Sequence, residues 1–343
     1  MKIFITGVNG FIGTHLTERI LNDTDWEIIG FDLYADNMSA YSGNPRLLFR
    51  QGDVFKEQGW IEEQVRGCDV VLPLAGIAKP AFYIKKPVWT FELDFEQNLK
   101  IVRMCAKYGT RIIFPSTSEI YGLSADEELT EDESQLITGS IVKTRWIYSC
   151  SKQMMDRMIF AYGQEEGLKF SIFRPFNWVG PRLDSFKDAQ KRTARSVTQI
   201  IYDVLHRGVV SLVNGGEQKR SFTWIGDGID GLMAIIANEG NKADGQIFNI
   251  GNPANNCSIR ELAEMLIAEM KLKSVFRERA EKAELSSVQA SNYYGDAYDD
   301  MRNRVPSVLK MGELLGWRPK TDMTETLRRT VSWYAENVMD NHE

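Results

Sequence analysis

The sequence predicts an α/β protein, a doubly wound parallel sheet carrying a smaller C-terminal lobe. Three observations predict it. Short apolar, β-branched runs alternate with amphipathic stretches through the first half of the chain, the pattern of strand–helix–strand units. The opening apolar run meets three glycines and then helical sequence, which is how a parallel strand turns into a helix over a bound phosphate. The 343 residues, set against roughly 100–200 per domain, leave room for a second unit after the sheet.

Strands are expected at 2–6, 27–31, 47–51, 70–74, 111–115 and 169–173, with further ones at 209–213 and 246–250. Helical periodicity covers 11–21, 87–108, 145–166, 196–207 and 323–337. The Pro/Gly-rich passage 174–181 reads as the exit from the sheet, and Gly215–Gly216 as a tight turn. The polar stretch 280–304 reads as a long, partly irregular loop. A nucleotide-binding domain is drawn over 1–178, with 222–253 returning to it, and 179–221 plus 254–343 form the lobe.

Composition narrows the chemistry. Lys and Arg number 41 against 47 Asp and Glu, a net charge of −6 without a basic block, which argues against nucleic acid or an anionic membrane as the main partner. The three histidines, His15, His206 and His342, pair neither with each other nor with Cys68, Cys105, Cys150 or Cys257, and no short Cys spacing occurs. A structural zinc, a histidine-based metalloenzyme and a cysteine protease therefore do not fit. No run approaches the roughly 20 apolar residues of a membrane span, and glycines interrupt the apolar N-terminus, so a cytoplasmic protein is expected.

The glycine loop is Gly7-Val8-Asn9-Gly10-Phe11-Ile12-Gly13. Glycines so spaced allow a sharp turn, close backbone approach to a pyrophosphate, and tight packing of helix on strand. Gly7, Gly10, Phe11, Ile12 and Gly13 are accordingly candidate cofactor contacts. Asp32 ends the next strand at the interval where a carboxylate hydrogen-bonds a ribose 2′-OH, and its charge opposes a 2′-phosphate, which favours NAD over NADP. Asp53, after the third strand, is either an adenine neighbour or a turn aspartate.

Tyr148 and Lys152 stand at i and i+4, on one helix face. An ammonium there stabilises tyrosinate and brings a pKa of about 10 toward the range of a general base. The segment Pro115-Ser116-Thr117-Ser118-Glu119 closes the fifth strand, at the sheet edge where ligands collect. The glycine motif, this Ser/Thr segment and YxxxK, in that order on those elements, resemble the extended short-chain dehydrogenase/reductases, a Rossmann-fold group acting mainly on nucleotide sugars.

Finer motifs sharpen the resemblance. Thr117-Ser118-Glu119, Phe173-Arg174-Pro175-Phe176-Asn177-Trp178, Thr144-Arg145-Trp146 and Asn303-Arg304-Val305-Pro306-Ser307 are similar to the decarboxylase domain of bifunctional polymyxin-resistance enzymes. That domain makes UDP-4-keto-pentose, and the chain reads as a free-standing relative of it. More distantly the chain resembles UDP-xylose and UDP-apiose/xylose synthases. The latter carry cysteines where this chain has Ala78 and Ser118, so ring contraction is not expected.

The resemblance implies an NAD-dependent UDP-glucuronate decarboxylase. Tyr148 would take the C4 hydroxyl proton, with Lys152 holding its pKa down and binding the ribose, and Thr117 would bond the C4 oxygen. Ser118 and Glu119 would lie near C5 and C6, where a carboxylate facing the substrate's own would destabilise the bound ground state. Arg304 would stabilise charge and relay a proton through water, since a guanidinium with pKa above about 12 is a poor acid. Asn177, Arg195, Arg220 and Tyr298 would hold the UDP part. Tyr83 is either a substrate contact or a packed aromatic. The relative has a lysine near the phosphates where this chain has Ser211. Helices 87–108 and 145–166 would form a four-helix bundle in a homodimer, as in relatives. The rivals are a UDP-xylose synthase that reuses its NADH and a 4-epimerase.

Overall fold

Ile3, Phe4 and Ile5 of β1 (Lys2–Thr6) and the neighbouring Val70, Val71 and Leu72 of β4 (Val70–Pro73) are buried on both sides. Runs apolar on both faces are what the middle of a parallel sheet requires. The computed structural model describes residues 1–294, 299 and 301–337. Around that centre lie β2 (Glu27–Asp32), β3 (Leu47–Gln51), β5 (Arg111–Pro115), β6 (Phe170–Pro175) and β7 (Gln246–Ile250). The spatial order is β7-β6-β5-β4-β1-β2-β3, and every neighbouring pair is parallel. The doubly wound sheet that the sequence predicts is present. Its strand order reverses between β1 and β4, and the crevice beyond the carboxyl ends there is where such sheets take ligands.

One face is packed by helices Phe11–Asp23 and Ile225–Ala237, which meet Ile3, Ile5, Leu72 and Phe248 in a common apolar cluster. The other is covered by Asn98–Tyr108 and Trp146–Glu166, through Ile101, Val102, Met155 and Ile159. A separate cluster joins Val179 and Leu183 to helices Ser196–His206, Ile259–Lys271 and Met323–Asn337. Late in the chain, Met311 and Trp317 pack with the first cluster, and the Trp317 indole donates to the Asp227 carbonyl at 3.0 Å.

Two local expectations need correction. The stretch 280–304 contains a strand, Glu284–Val288, paired in parallel with Val209–Val213. Only Leu285 and Val288 of that strand are apolar, so its stability comes from the ladder to its partner, which local pattern does not reveal. The helical run 87–108 is α-helical over Pro87–Phe91 and Asn98–Tyr108 but π-helical over Glu92–Gln97. No helix among the described residues is long and apolar enough to cross a membrane.

Asp227, buried in the first turn of helix Ile225–Ala237, accepts from the Lys320 and Thr321 amides at 2.9 and 2.8 Å and from the Thr321 hydroxyl at 3.0 Å. Asp227→Ala strands those donors, at a cost of about 3 kcal/mol. Urea unfolding should show a lower midpoint with an unchanged slope; a midpoint equal to wild type contradicts this account of the C-terminal tether.

Candidate active site

At the end of β1 the backbone turns at Gly7, with φ +74°, and a Cβ there would lie 2.5 Å from the Ala75 nitrogen. A Cβ on Gly13 would lie 2.5 Å from the Val8 carbonyl oxygen. Only glycine lets the helix sit this close to the loop. Gly10 is the N-cap of that helix and no described side chain caps it, so its first amides face the crevice as an anion site. Asp32 accepts from the Asn9 amide at 2.9 Å and the Tyr34 amide at 3.1 Å. Burial pushes its pKa up, and the amides of Tyr34 and Asn9 oppose that. Asn9 in turn accepts two bonds from Asn37, from its backbone amide at 2.7 Å and from its side-chain amide at 2.9 Å, fixing the far wall. The bare loop and the carboxylate beyond it fit a dinucleotide, and the cofactor is NAD. Asp53 accepts from the Phe55 amide at 3.0 Å and stands 3.7 Å from Lys56, the geometry of a turn aspartate.

The segment after β5 forms the next wall. The Thr117 hydroxyl accepts from the Glu119 amide at 3.2 Å and starts a short 3-10 turn, Ser118–Tyr121. Helix Trp146–Glu166 is latched to that turn by Ser149, whose hydroxyl donates to the Glu119 carbonyl at 2.8 Å, and by Gln153, which donates to the Ile120 carbonyl at 2.8 Å. These latches bring Tyr148 against Thr117. Tyr148 is nearly buried and stacks flat on Tyr83, with centroids 4.2 Å apart at 6°. Tyr83 therefore packs as an aromatic and also lines the cleft.

Here the electrostatics differ from the expectation that Lys152 lowers the Tyr148 pKa. Burial and then the charge of Asp94 raise it, against hydrogen bonds from Thr117 and Tyr83 that lower it. Lys152 is turned to other partners, donating to the Pro115 carbonyl at 2.9 Å and lying 3.6 Å from Asp94. Its ammonium is 6.0 Å from the Tyr148 ring centroid. In this state the tyrosine holds its proton.

Glu119 is bridged on both sides. One oxygen accepts from Arg145 at 2.5 Å and the other from Arg304 at 2.6 Å, and both arginine side chains are 2% exposed. Phe11, Ile12, Thr117, Ser118, Glu119, Tyr148 and Arg304 line one cleft with Asn177, Arg195 and Arg220. Asn177, at φ +39°, donates to the Ser221 carbonyl at 3.2 Å. Arg195 grips Asp184 with two nitrogens, at 3.1 and 3.0 Å. Arg220 donates to the Met301 carbonyl at 3.0 Å, which ties its strand to the segment that carries Arg304. Ser211 also lines the cleft, and Tyr298 and His342 lie outside the described residues.

Sequence reasoning gave three residues of the site no role of their own. Arg145 occupies the N-cap position of helix Trp146–Glu166, where the helix dipole disfavours a cation; that misplacement was a signal of a tertiary partner. Asp94 falls in phase with the buried Ile101 and Cys105, as do Gln97 and Asn98, so polar residues on an apolar stripe marked it. Arg192, at φ +56°, lies over the Tyr293 ring at 5.4 Å and lines the same cleft. No local pattern announced it.

Comparison with known proteins agrees with the fold and with the cofactor. The family model described as the NAD dependent epimerase/dehydratase family matches residues 3–251. Among solved structures, PbgP3 protein from Burkholderia pseudomallei is 45% identical, covering 99% of this chain and 97% of its own, with a TM-score of 0.89. DesIV, a dTDP-glucose 4,6-dehydratase from Streptomyces venezuelae solved with NAD bound, is 23% identical over 98% of each chain, at a TM-score of 0.81. UDP-glucuronic acid 4-epimerase from Bacillus cereus, solved with UDP-glucuronic acid and NAD, is 21% identical over 98% of this chain and 100% of its own, at a TM-score of 0.82. At those lower identities the likeness is one of fold.

The glycine loop makes a direct prediction. Gly13→Ala forces a Cβ into the Val8 carbonyl and pushes the loop off its helix. Calorimetric titration should show NAD⁺ affinity weakened by at least about tenfold; unchanged affinity contradicts the placement of the dinucleotide on this loop.

Proposed function

The chain belongs to the NAD-dependent epimerase/dehydratase family, and from that premise we propose that it oxidises UDP-glucuronate at C4 and decarboxylates it to UDP-4-keto-pentose. The observation that carries the reading is the Arg145–Glu119–Arg304 bridge, set in one cleft with Thr117, Ser118 and Tyr148. A site for a neutral hexose has little use for a carboxylate and two arginines beside its base. A substrate that arrives with a carboxylate and leaves without it has a use for both.

The dinucleotide, when bound, supplies the acceptor for the C4 hydride. The chain's own residues do the rest. Tyr148 takes the C4 hydroxyl proton as the C4–O bond becomes a carbonyl, and Thr117 steadies that oxygen. The 4-ketone makes the substrate a β-keto acid, so the C5–C6 bond breaks with its electron pair passing into the C4 enolate. Carbon dioxide leaves, and C5 then takes a proton. Arg304 stabilises the departing carboxylate and the enolate by charge, the role a guanidinium suits better than donating a proton. Glu119 orients that guanidinium. A bridge to two arginines screens the carboxylate, so orientation accounts for Glu119 better than repulsion of the substrate does.

For the diphosphate, Arg195 and Arg220 are joined by Arg192, which lines the cleft shared with Ser211. A homodimer is part of the same reading. Val88, Trp89, Met154 and Phe160 are exposed on the helices expected to form its bundle, and a second copy would cover them.

NMR of the products from UDP-glucuronate and NAD⁺ tests the proposal. The expected result is a C4 ketone without C6, with carbon dioxide and NADH formed in equal amounts. A product that keeps C6 overturns it, and UDP-xylose without free NADH overturns release of the ketone. Glu119→Gln should lower kcat on the order of a hundredfold, and full decarboxylation by that variant contradicts its role.

A further inference from the structure

We propose that Asp94 is a positioning residue for this reaction, holding Lys152 and governing how readily Tyr148 yields its proton. The proposal rests on the reading of Tyr148 as the base.

Asp94 is fully buried, and burying a carboxylate is costly unless it is paired and hydrogen-bonded. Both kinds of partner are present. Its two oxygens accept from the Ile77 amide at 3.2 and 3.3 Å, and Oδ1 lies 3.6 Å from the Lys152 ammonium. The backbone is shaped to allow this. Asp94 sits inside the π-helical turn Glu92–Gln97, and such turns are found frequently at functional sites. Across from it stands Gly76, where a Cβ would lie 2.5 Å from Asp94 Oδ1. Lys152 is thus held between Asp94, the Pro115 carbonyl and the Phe114 ring, its ammonium 4.8 Å from that ring's centroid.

The charged and titratable groups around Asp94 come from several elements. Helix Trp146–Glu166 supplies Lys152, Tyr148 and, one turn on from Lys152, Asp156, which is engaged by Arg174 at 3.2 Å. The short helix Pro80–Lys85 supplies Tyr83, whose pKa Asp94 also raises. Glu119 adds a negative charge to the Tyr148 environment, and Arg145 acts on Tyr83 in the opposite sense. Arg195, which feels the Tyr148 charge, stands beyond them.

Burial raises the Asp94 carboxyl to about 6, with Lys152 and the Ile77 amide opposing it. Above that pH the residue is an anion, and its charge is the largest contribution after burial to holding the Tyr148 proton in place. Below it, Asp94 is neutral and this contribution fades. Replacing the carboxylate with an amide keeps a partner for Ile77 and Lys152 but removes the charge, so Tyr148 ionises more easily. The acid limb of the activity profile then moves to lower pH.

The experiment is the pH dependence of kcat/KM for UDP-glucuronate at saturating NAD⁺, in wild type and Asp94→Asn. The expected result is an acid limb displaced downward by on the order of one pH unit, with the two profiles converging below about pH 6. A profile scaled by one factor at every pH, or a limb displaced upward, overturns the proposal. If the Asn variant does not fold, Asp94→Ser, smaller and also neutral, carries the same expectation. Tyr148→Phe run in parallel separates the two claims. Turnover retained in Tyr148→Phe overturns the assignment of the base, whereas its loss together with an unmoved limb in Asp94→Asn overturns the role of Asp94 alone.

Discussion

Glu119 accepts from Arg145 through one oxygen and from Arg304 through the other, and that bridge joins three parts of the chain far apart in sequence. Arg145 begins the helix that carries Tyr148 and Lys152, Glu119 follows Thr117 off the end of β5, and Arg304 belongs to the C-terminal segment. Removing one partner from a buried ion pair costs about 3–5 kcal/mol, because a charge is left without compensation. The position of each group therefore depends on the other two. Ser149 and Gln153 reinforce the arrangement by bonding to the backbone of the same turn. The proposed base, the group expected at the C4 oxygen and the arginine expected at C6 are in this way set relative to each other by one carboxylate.

The site keeps its cations paired within the protein. Tyr148 is stacked, buried and held protonated, while Lys152 is spent on Asp94 and a carbonyl. Arg195 is held by Asp184 in the same manner. In the proposed reading, groups that would meet an anionic substrate are kept paired within the protein, and binding would exchange one partner for another. Such exchange would let a chain with a net charge of −6 take a ligand with several negative charges without a basic surface.

Much of the fold was legible because the central strands are short and apolar on both faces, and because glycines at 7, 10 and 13 allow one loop geometry. Strand Glu284–Val288 was not, since Leu285 and Val288 are its only apolar residues and its partner lies 75 residues earlier in the register. That Tyr148 and Lys152 share one helix face followed from their spacing, but the electrostatic state of the tyrosine did not. What raises the tyrosine is its burial and the charge of Asp94, and Asp94 approaches only because a helix is locally widened and Gly76 makes room. Arg145 was read as part of a motif, and its bond to Glu119 across 26 positions is a tertiary contact that spacing cannot give.

The most direct measurement of the central claim, that this cleft is built around a carboxylate on the sugar, is NADH formation from UDP-glucuronate compared with UDP-glucose at the same NAD⁺ concentration. The two substrates differ at C6 and share everything else. The account predicts a preference for UDP-glucuronate in kcat/KM on the order of a thousandfold, because the arginines that meet its carboxylate are left facing a hydroxyl in the other. Equal turnover of UDP-glucose would contradict it.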